Sequence, residues 1–61
     1  MKIKIKSFNG ELPSYLTLGK VYNVFPVIDY HSAIYDDEGF LRYIKLNGCK
    51  HLNGGSWEVV E

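Results

Sequence analysis

Turn-forming residues interrupt this chain so often that no long helix fits between them. Asn-Gly pairs, single glycines and prolines recur at positions 9–10, 13, 19, 26, 39, 47–48 and 53–55. The segments between them are rich in Val, Ile, Tyr and Phe, which favour strands, and their sequences show no apolar stripe of the kind that marks an amphipathic helix. The pattern therefore predicts an all-β chain built from short strands.

In the opening segment MKIKIKS, apolar and lysine side chains alternate strictly over the first six residues. A period of two places Ile3 and Ile5 on one face of a strand and Lys2, Lys4 and Lys6 on the other. We interpret the lysine row as a solvated face that protects an edge strand from pairing with other chains. The same three lysines are the candidates for contact with nucleic acid or an acidic partner.

The segment FNGELPSYLTLGK, residues 8–20, predicts a long loop, and KVYNVFPVIDY, residues 20–30, predicts a strand. In the loop, Leu12, Leu16 and Leu18 are expected to plug the core. The strand over residues 20–30 has apolar residues on both faces, which indicates that it bends and serves two sides of a barrel. Pro26 cannot donate a ladder hydrogen bond, so we expect it at an edge or a bulge.

The stretch YDDEGF, residues 35–40, carries three consecutive carboxylates and then a glycine. An EF-hand-like calcium loop needs acidic residues at alternate positions, and this spacing does not supply them. A tight turn fits instead, because Asp36 can accept a hydrogen bond from an amide two residues ahead and Gly39 can supply a positive φ. We therefore predict a hairpin joining the strand through Ile34 to the strand through Ile44, with an acidic end.

With the closing segment WEVVE as a last strand, the chain contains five short strands separated by turn signals. Among compact all-β folds, this length and spacing favour a small five-stranded SH3-like barrel that forms a single domain over residues 1–61.

Composition excludes several classes of protein. Seven Lys plus Arg balance seven Asp plus Glu, so the formal net charge is zero, which disfavours a general binder of the phosphate backbone. No apolar run approaches the roughly 20 residues that cross a bilayer, and the start does not resemble a signal peptide. The single cysteine, Cys49, cannot form an internal disulfide and suits a reducing compartment. We expect a soluble, cytoplasmic protein without a membrane partner.

Metal and nucleophile chemistry have only a weak basis in this sequence. The potential ligands are Asp29, His31, Cys49 and His51. They lack the paired knuckles of a structural zinc site, and a Cys-His pair also needs an oxyanion donor and a cleft. We expect Cys49 to be a small buried hydrophobe, and LNGGSW at 52–57 to be a loop rather than an anion-binding nest. No catalytic, cofactor-binding or metal-binding residue is predicted, and the chain is not expected to be an enzyme.

Aromatic residues are more numerous than a core of this size can bury. The chain has five Tyr, three Phe and one Trp, and exposed rings commonly mark binding surfaces. The residues that we expect to contact a partner are Tyr30, His31, Tyr35, Tyr43 and Trp57.

Three segments resemble a known family: LTLGKVYNV at 16–24, IYDDEGFLRYI at 34–44 and WEVV at 57–60. They are similar to the small SH3-like proteins of tailed bacteriophages and prophages. The family pattern is matched by Leu16, Thr17, Gly19, Lys20, Tyr22, Val24, Asp36, Asp37 and Gly39. The resemblance implies an SH3-like fold and no catalytic residues, and some small phage proteins of this size bind and disable a host or defence protein.

Two functional hypotheses follow. The first is a non-enzymatic protein-binding module that inhibits or modulates a protein of the bacterial host cell. The second, less favoured, is a nucleic-acid-binding barrel that uses Lys2, Lys4 and Lys6 together with surface tyrosines. Self-association into a small oligomer is compatible with either hypothesis.

Overall fold

The computed structural model describes residues 1–26 and 32–61, and its secondary structure is almost entirely β. Its strands are β1 (Lys2–Ser7), β2 (Tyr22–Asn23), β3 (Phe25–Pro26), β4 (Ser32–Tyr35), β5 (Leu41–Ile44) and β6 (Ser56–Val59). One turn of 3-10 helix, Lys50–Leu52, precedes β6. The prediction of an all-β fold is confirmed.

The strands form two antiparallel sheets of three strands each, with the orders β2-β1-β6 and β3-β4-β5. The strand predicted over residues 20–30 passes from one sheet to the other, because β2 pairs with β1 and, after Val24, β3 pairs with β4. The segment just after β5 is also tied to β6, by the hydrogen bond from the Trp57 amide to the Leu46 carbonyl at 2.8 Å. Over the described ranges the two sheets do not close into a barrel, so the SH3-like barrel stays a prediction.

Alternation along the strands sends one face of each sheet into a common core. Ile3 and Ile5 of β1 are buried there, as their spacing predicts, together with Ile34 and Ile44 of the hairpin. The other members of this core cluster are Leu16, Tyr22, Cys49, Leu52 and Trp57.

Three predictions about individual positions can be compared with this core. Cys49 is 1% exposed, which confirms that it is buried. Leu16 is also buried and Leu12 packs against the core, but Leu18 is 60% exposed, so the expectation for Leu18 is wrong. Leu18 lies inside a tight turn closed by the Lys20 amide, and this turn projects the side chain away from the core.

The position of Pro26 agrees with the prediction that this residue lies at an edge or a bulge. Pro26 lies on β3, an outer strand of the described sheet, where a missing amide donor breaks no central ladder.

Within residues 1–26 and 32–61, the structure contains no helix with the length and apolarity needed to cross a bilayer.

Two parts of the chain approach each other closely at Gly55. A Cβ atom built there would collide with the Ser7 backbone and would lie 2.7 Å from Phe8 Cα. Only glycine allows the segment before β6 to pass the end of β1, where the β1–β6 register shifts between Ile5 and Ser7.

We therefore expect Gly55→Ala to lower the free energy of unfolding by about 3 kcal/mol or to abolish folding, because backbone atoms must move to admit the methyl group. Gly48→Ala is the matched control. Gly48 has a φ of +66° but open space around it, so we expect a loss of only about 1 kcal/mol. Urea unfolding monitored by tryptophan fluorescence measures both losses. An equal or smaller loss for Gly55→Ala would contradict the close approach.

Candidate functional site

The turn between β4 and β5 is held together by the carboxylate of Asp36, whose side chain is fully buried. Its Oδ1 accepts hydrogen bonds from the amides of Glu38 and Phe40, both at 2.9 Å, and its Oδ2 accepts one from Arg42 Nε at 2.7 Å. Gly39 has a φ of +87° and donates its amide to the Asp36 carbonyl. The predicted turn is confirmed, including the aspartate acceptor and the glycine at positive φ.

The neighbouring carboxylate, Asp37, joins this turn to the long loop that leads into β2. Its Oδ2 accepts from Thr17 Oγ1 at 2.6 Å, and its Oδ1 accepts from Lys20 Nζ at 2.7 Å and from the Tyr22 hydroxyl at 2.9 Å. The Asp37 amide donates to the Tyr15 carbonyl at 2.9 Å. We call Asp37, Thr17, Lys20 and Tyr22 the Asp37 clamp.

The clamp gives a structural reason for the polar residues of the LTLGKVYNV and DDEG segments. Thr17, Lys20 and Tyr22 converge on Asp37 from the loop and from β2, and the Thr17 amide also donates to the Tyr22 hydroxyl at 2.8 Å. Every one of these side chains has its polar atom engaged within the clamp. These residues therefore hold the loop in place, and their pattern is a signature of architecture.

The same hydrogen bonds keep both carboxylates ionised. Hydrogen bonds from Lys20 and then Thr17 lower the pKa of Asp37 below its ordinary value. Burial alone would raise the pKa of Asp36, but the bonds from Arg42 and from backbone amides outweigh burial and lower the pKa. A carboxylate with a lowered pKa and occupied oxygens is a poor general acid or base at neutral pH.

The ion pairs of Asp36 and Asp37 also correct the expectation that the hairpin turn forms an acidic end of the molecule. Lys20 lies 2.7 Å from Asp37, and Arg42 lies 2.7 Å from Asp36. Two of the three consecutive charges are thus compensated, and only the exposed Glu38 adds its charge to this end without such a partner among the described residues. The turn offers no strong negative field to a ligand.

The clamp predicts a specific pH dependence of stability. Because the pKa of Asp37 in the folded protein is below the ordinary value of 3.8, its ionised form stabilises the fold above that pH, and the contribution is lost as the pH falls through the lower folded-state pKa. We expect Asp37→Asn to lower the urea midpoint at about pH 6 and to flatten its fall below about pH 4. The control, Glu38→Gln, should follow the wild type. Identical pH profiles for Asp37→Asn and the wild type would show that the clamp contributes nothing.

The outer face of the β3-β4-β5 sheet carries large apolar side chains. The register places both Phe25 and Tyr43 opposite Ala33, and Tyr35 opposite Leu41. Because the alternate residues on these strands point into the core, this set points away from it. We call Phe25, Ala33, Tyr35, Leu41 and Tyr43 the aromatic face.

The large side chains of the aromatic face are exposed. The exposed fractions are 42% for Phe25, 54% for Tyr35, 46% for Leu41 and 58% for Tyr43, while Ala33 is completely covered by its neighbours. The rings of Phe25 and Tyr35 pack edge to face with centroids 5.3 Å apart. A contiguous group of exposed apolar side chains is more informative than scattered ones, because such groups mark interaction sites.

The structure brings together only two of the predicted partner-contacting residues. Tyr35 and Tyr43 both belong to the aromatic face, whereas Tyr30 and His31 lie outside the described residues. Trp57 is a correction: it is 4% exposed, because its pairing with Ile5 turns the indole into the core. There it packs edge to face against Tyr22, and its Nε1 has no acceptor among the described residues.

The lysine row of β1 lies on a different sheet and is partly compensated. Lys2 Nζ is 3.7 Å from Glu61 and Lys4 Nζ is 3.4 Å from Glu58, while Lys6 is exposed. The row occupies the outer face of the β2-β1-β6 sheet, whereas the surface tyrosines occupy the outer face of the other sheet. The structure therefore separates the two groups that the nucleic-acid hypothesis combines.

The weak metal and nucleophile candidates are also dispersed or occupied. His51 Nδ1 is 2.8 Å from the Tyr15 hydroxyl, and Cys49 is buried. Asp29 and His31 fall outside the described residues, and within the described ranges no group of three or more His, Cys, Asp or Glu side chains is placed to hold a metal ion.

The Asn-Gly-Gly segment is a loop whose amides are satisfied internally. The amides of Asn53, Gly54 and Gly55 donate to the carbonyls of Lys50, Cys49 and Leu52. An anion-binding nest needs those amides free, so the loop interpretation is the one that agrees with the structure.

Sequence reasoning missed Phe25 and Leu41 as members of a candidate surface. The signal was present, because the hairpin turn fixes the register and places Tyr35 opposite Leu41. Strand parity then puts Leu41 on the same side as Tyr43. Phe25 could not be found in this way, since its pairing with Ala33 depends on how the bent strand leaves the first sheet.

Comparisons with known proteins leave the aromatic face and the clamp without an assigned role. No protein-family model, no curated protein and no solved structure matches this chain.

Proposed function

We propose that this protein is a non-enzymatic binding module that uses the aromatic face to hold another protein and so inhibits or modulates it. The observation that carries the proposal is the exposure of Phe25, Tyr35, Leu41 and Tyr43 on one sheet face, between 42% and 58% each. Aromatic residues are enriched at protein interfaces, where they supply large contact area at low entropic cost.

The hydrogen bonds of the hairpin turn support this role. The Asp36 and Asp37 carboxylates hold the turn that sets the β4–β5 register, so we expect Tyr35, Leu41 and Tyr43 to need little ordering on binding. Preorganised surfaces bind more tightly because less conformational entropy is lost on association.

The resemblance to small SH3-like proteins of tailed bacteriophages supplies the biological part of the proposal. We infer that the two sheets are the halves of an SH3-like barrel, supported by the strand that changes sheet at Val24 and by the loop that closes over Asp37. On that basis the partner is a bacterial host or defence protein, and the place of action is the host cytoplasm. Hydrogen bonds from Tyr22 and Arg42 occupy the carboxylates of Asp37 and Asp36, which supports a role without catalysis.

The test compares how much of a partner protein the wild type and two double variants capture from a bacterial lysate. Truncating large side chains at an interface centre weakens binding by about 2 kcal/mol or more, which is about 30-fold. The double variant Tyr35→Ser/Leu41→Ser should therefore retain about tenfold less of a specific lysate protein than the wild type does. Val59→Ser/Val60→Ser removes apolar groups that are similarly exposed on or beside β6, and it should retain as much as the wild type.

Quantitative mass spectrometry of the retained proteins gives the readout, and matched urea midpoints confirm that each variant is folded. Equal retention by all three proteins would remove the aromatic face from the proposal. Retention of nucleic acid in place of protein would favour the second hypothesis. If the face instead joins copies of this chain, sedimentation will show an oligomer that Tyr35→Ser/Leu41→Ser dissociates.

The nucleic-acid alternative makes its own prediction. A lysine row that contacts phosphates gives an affinity that falls steeply with salt, by a log–log slope of about 0.7 per contact on a single strand. Because Lys2 and Lys4 already have carboxylate partners, we expect little or no binding of a labelled oligo-dT in an anisotropy titration. Tight, salt-sensitive binding that Lys4→Gln and Lys6→Gln weaken would reverse the order of the two hypotheses.

A further inference from the structure

A groove of about 270 Å³ borders the aromatic face at Tyr43. Its lining residues are Tyr43, Ile44, Lys45, Gly48 and Lys50. Lys45 follows Tyr43 by two positions at the end of β5, so strand parity brings both side chains to the same side of the sheet. Lys50 comes from the start of the 3-10 helix and closes the groove from a second element.

The charges of this groove differ from most other Lys and Arg side chains of the described chain, among which only Lys6 is likewise exposed and without an ion pair. Ion pairs within 4.0 Å form at Lys2, Lys4, Lys20 and Arg42. Among residues 1–26 and 32–61, no carboxylate lies that close to Lys45 or Lys50, and both residues are exposed. Two ammonium groups without a carboxylate partner among the described residues therefore lie beside the exposed ring of Tyr43.

We propose that this groove binds an acidic segment of the partner protein, with its carboxylates at Lys45 and Lys50 and an adjacent apolar side chain on Tyr43 and Leu41. The inference rests on the proposed function, since it names the chemistry of the partner that the aromatic face would hold. Charge complementarity at the rim of an apolar surface sets specificity and association rate.

A protein segment fits this site better than nucleic acid does. Two lysines supply only about two phosphate contacts, well below the 6–10 of a protein whose affinity rests on the phosphate backbone. The aliphatic Leu41 and the edge-to-face pair of Phe25 and Tyr35 offer apolar area rather than the parallel stacking platform that bases use. The net charge of zero adds no wider basic field.

The experiment is selection from a random 12-residue peptide display library on the immobilised full chain. Selected peptides should combine Asp or Glu with a neighbouring aromatic or aliphatic residue. In anisotropy titrations with synthetic copies, affinity should fall about tenfold for Lys45→Glu/Lys50→Glu, since two attractive contacts become repulsive. The control Lys6→Glu reverses another exposed lysine, on the other sheet, and should change affinity by less than about twofold.

A charge-swapped peptide, with Lys at the acidic positions, should regain affinity for Lys45→Glu/Lys50→Glu and lose it for the wild type. One outcome would overturn this inference and leave the proposed function standing. In that outcome the selected peptides lack acidic residues and bind Lys45→Glu/Lys50→Glu normally, but still need Tyr35 and Leu41 for binding. Failure to select any peptide that distinguishes the wild type from Tyr35→Ser/Leu41→Ser would count against both. An oligo-dT that binds more tightly than every selected peptide, with loss in Lys45→Glu/Lys50→Glu, would assign the groove to nucleic acid.

Discussion

The hydrogen bonds to Asp37 are the interaction on which the arrangement of this small protein depends. The loop between β1 and β2 has no ladder partners within the described part of the chain, and the single cysteine supplies no internal disulfide to close it. Thr17, Lys20 and Tyr22 replace such a closure with donors that converge on one carboxylate. A charge-assisted hydrogen bond is roughly twice as strong as a neutral one, so a single aspartate can order a long segment of backbone.

The same turn determines which side chains face solvent. Asp36 fixes the turn geometry and Arg42 covers it, with the guanidinium 4.2 Å from the Tyr15 ring centroid. A hairpin with a fixed turn has a fixed register, and a slip of one residue would exchange Tyr43 with Ile44 between the outer face and the core. The polar network at the turn is therefore the reason that the aromatic face exists as a defined surface.

The residues with the most evident chemistry and the residues of the candidate surface are different sets. Consecutive aspartates suggest metal binding or acid–base catalysis, yet both are used to hold the fold together. Tyr43 and Leu41, which carry no chemical signature, belong to the candidate surface, and Tyr43 lies beside Lys45, for which the described residues supply no ion-pair partner. A small domain has few residues to spare for structure alone, so its strongest polar pattern can be a structural one.

Much of the local structure could be predicted from the sequence. The alternation of MKIKIKS, the DDEG turn and the burial of Cys49 follow from spacing and side-chain chemistry, which act over a few neighbouring residues. Burial of Trp57 could not be predicted, because the direction of the indole side chain depends on the pairing of β6 with β1, in which Trp57 lies opposite Ile5, 52 residues earlier in the chain. Exposure of Leu18 likewise depends on the turn that the distant Asp37 holds.

The sequence by itself determined the first strand, the hairpin strands with their register, the last strand and the all-β class, since each rests on periodicity or turn chemistry that is local in the chain. The single strand predicted over residues 20–30 is instead divided between the two sheets at Val24. Only the tertiary structure decided that Asp37 anchors the loop, that Lys2 and Lys4 meet carboxylates, and that Lys45 and Lys50 meet none in residues 1–26 and 32–61. Those outcomes depend on distances between residues far apart in sequence, and a one-dimensional pattern does not contain them.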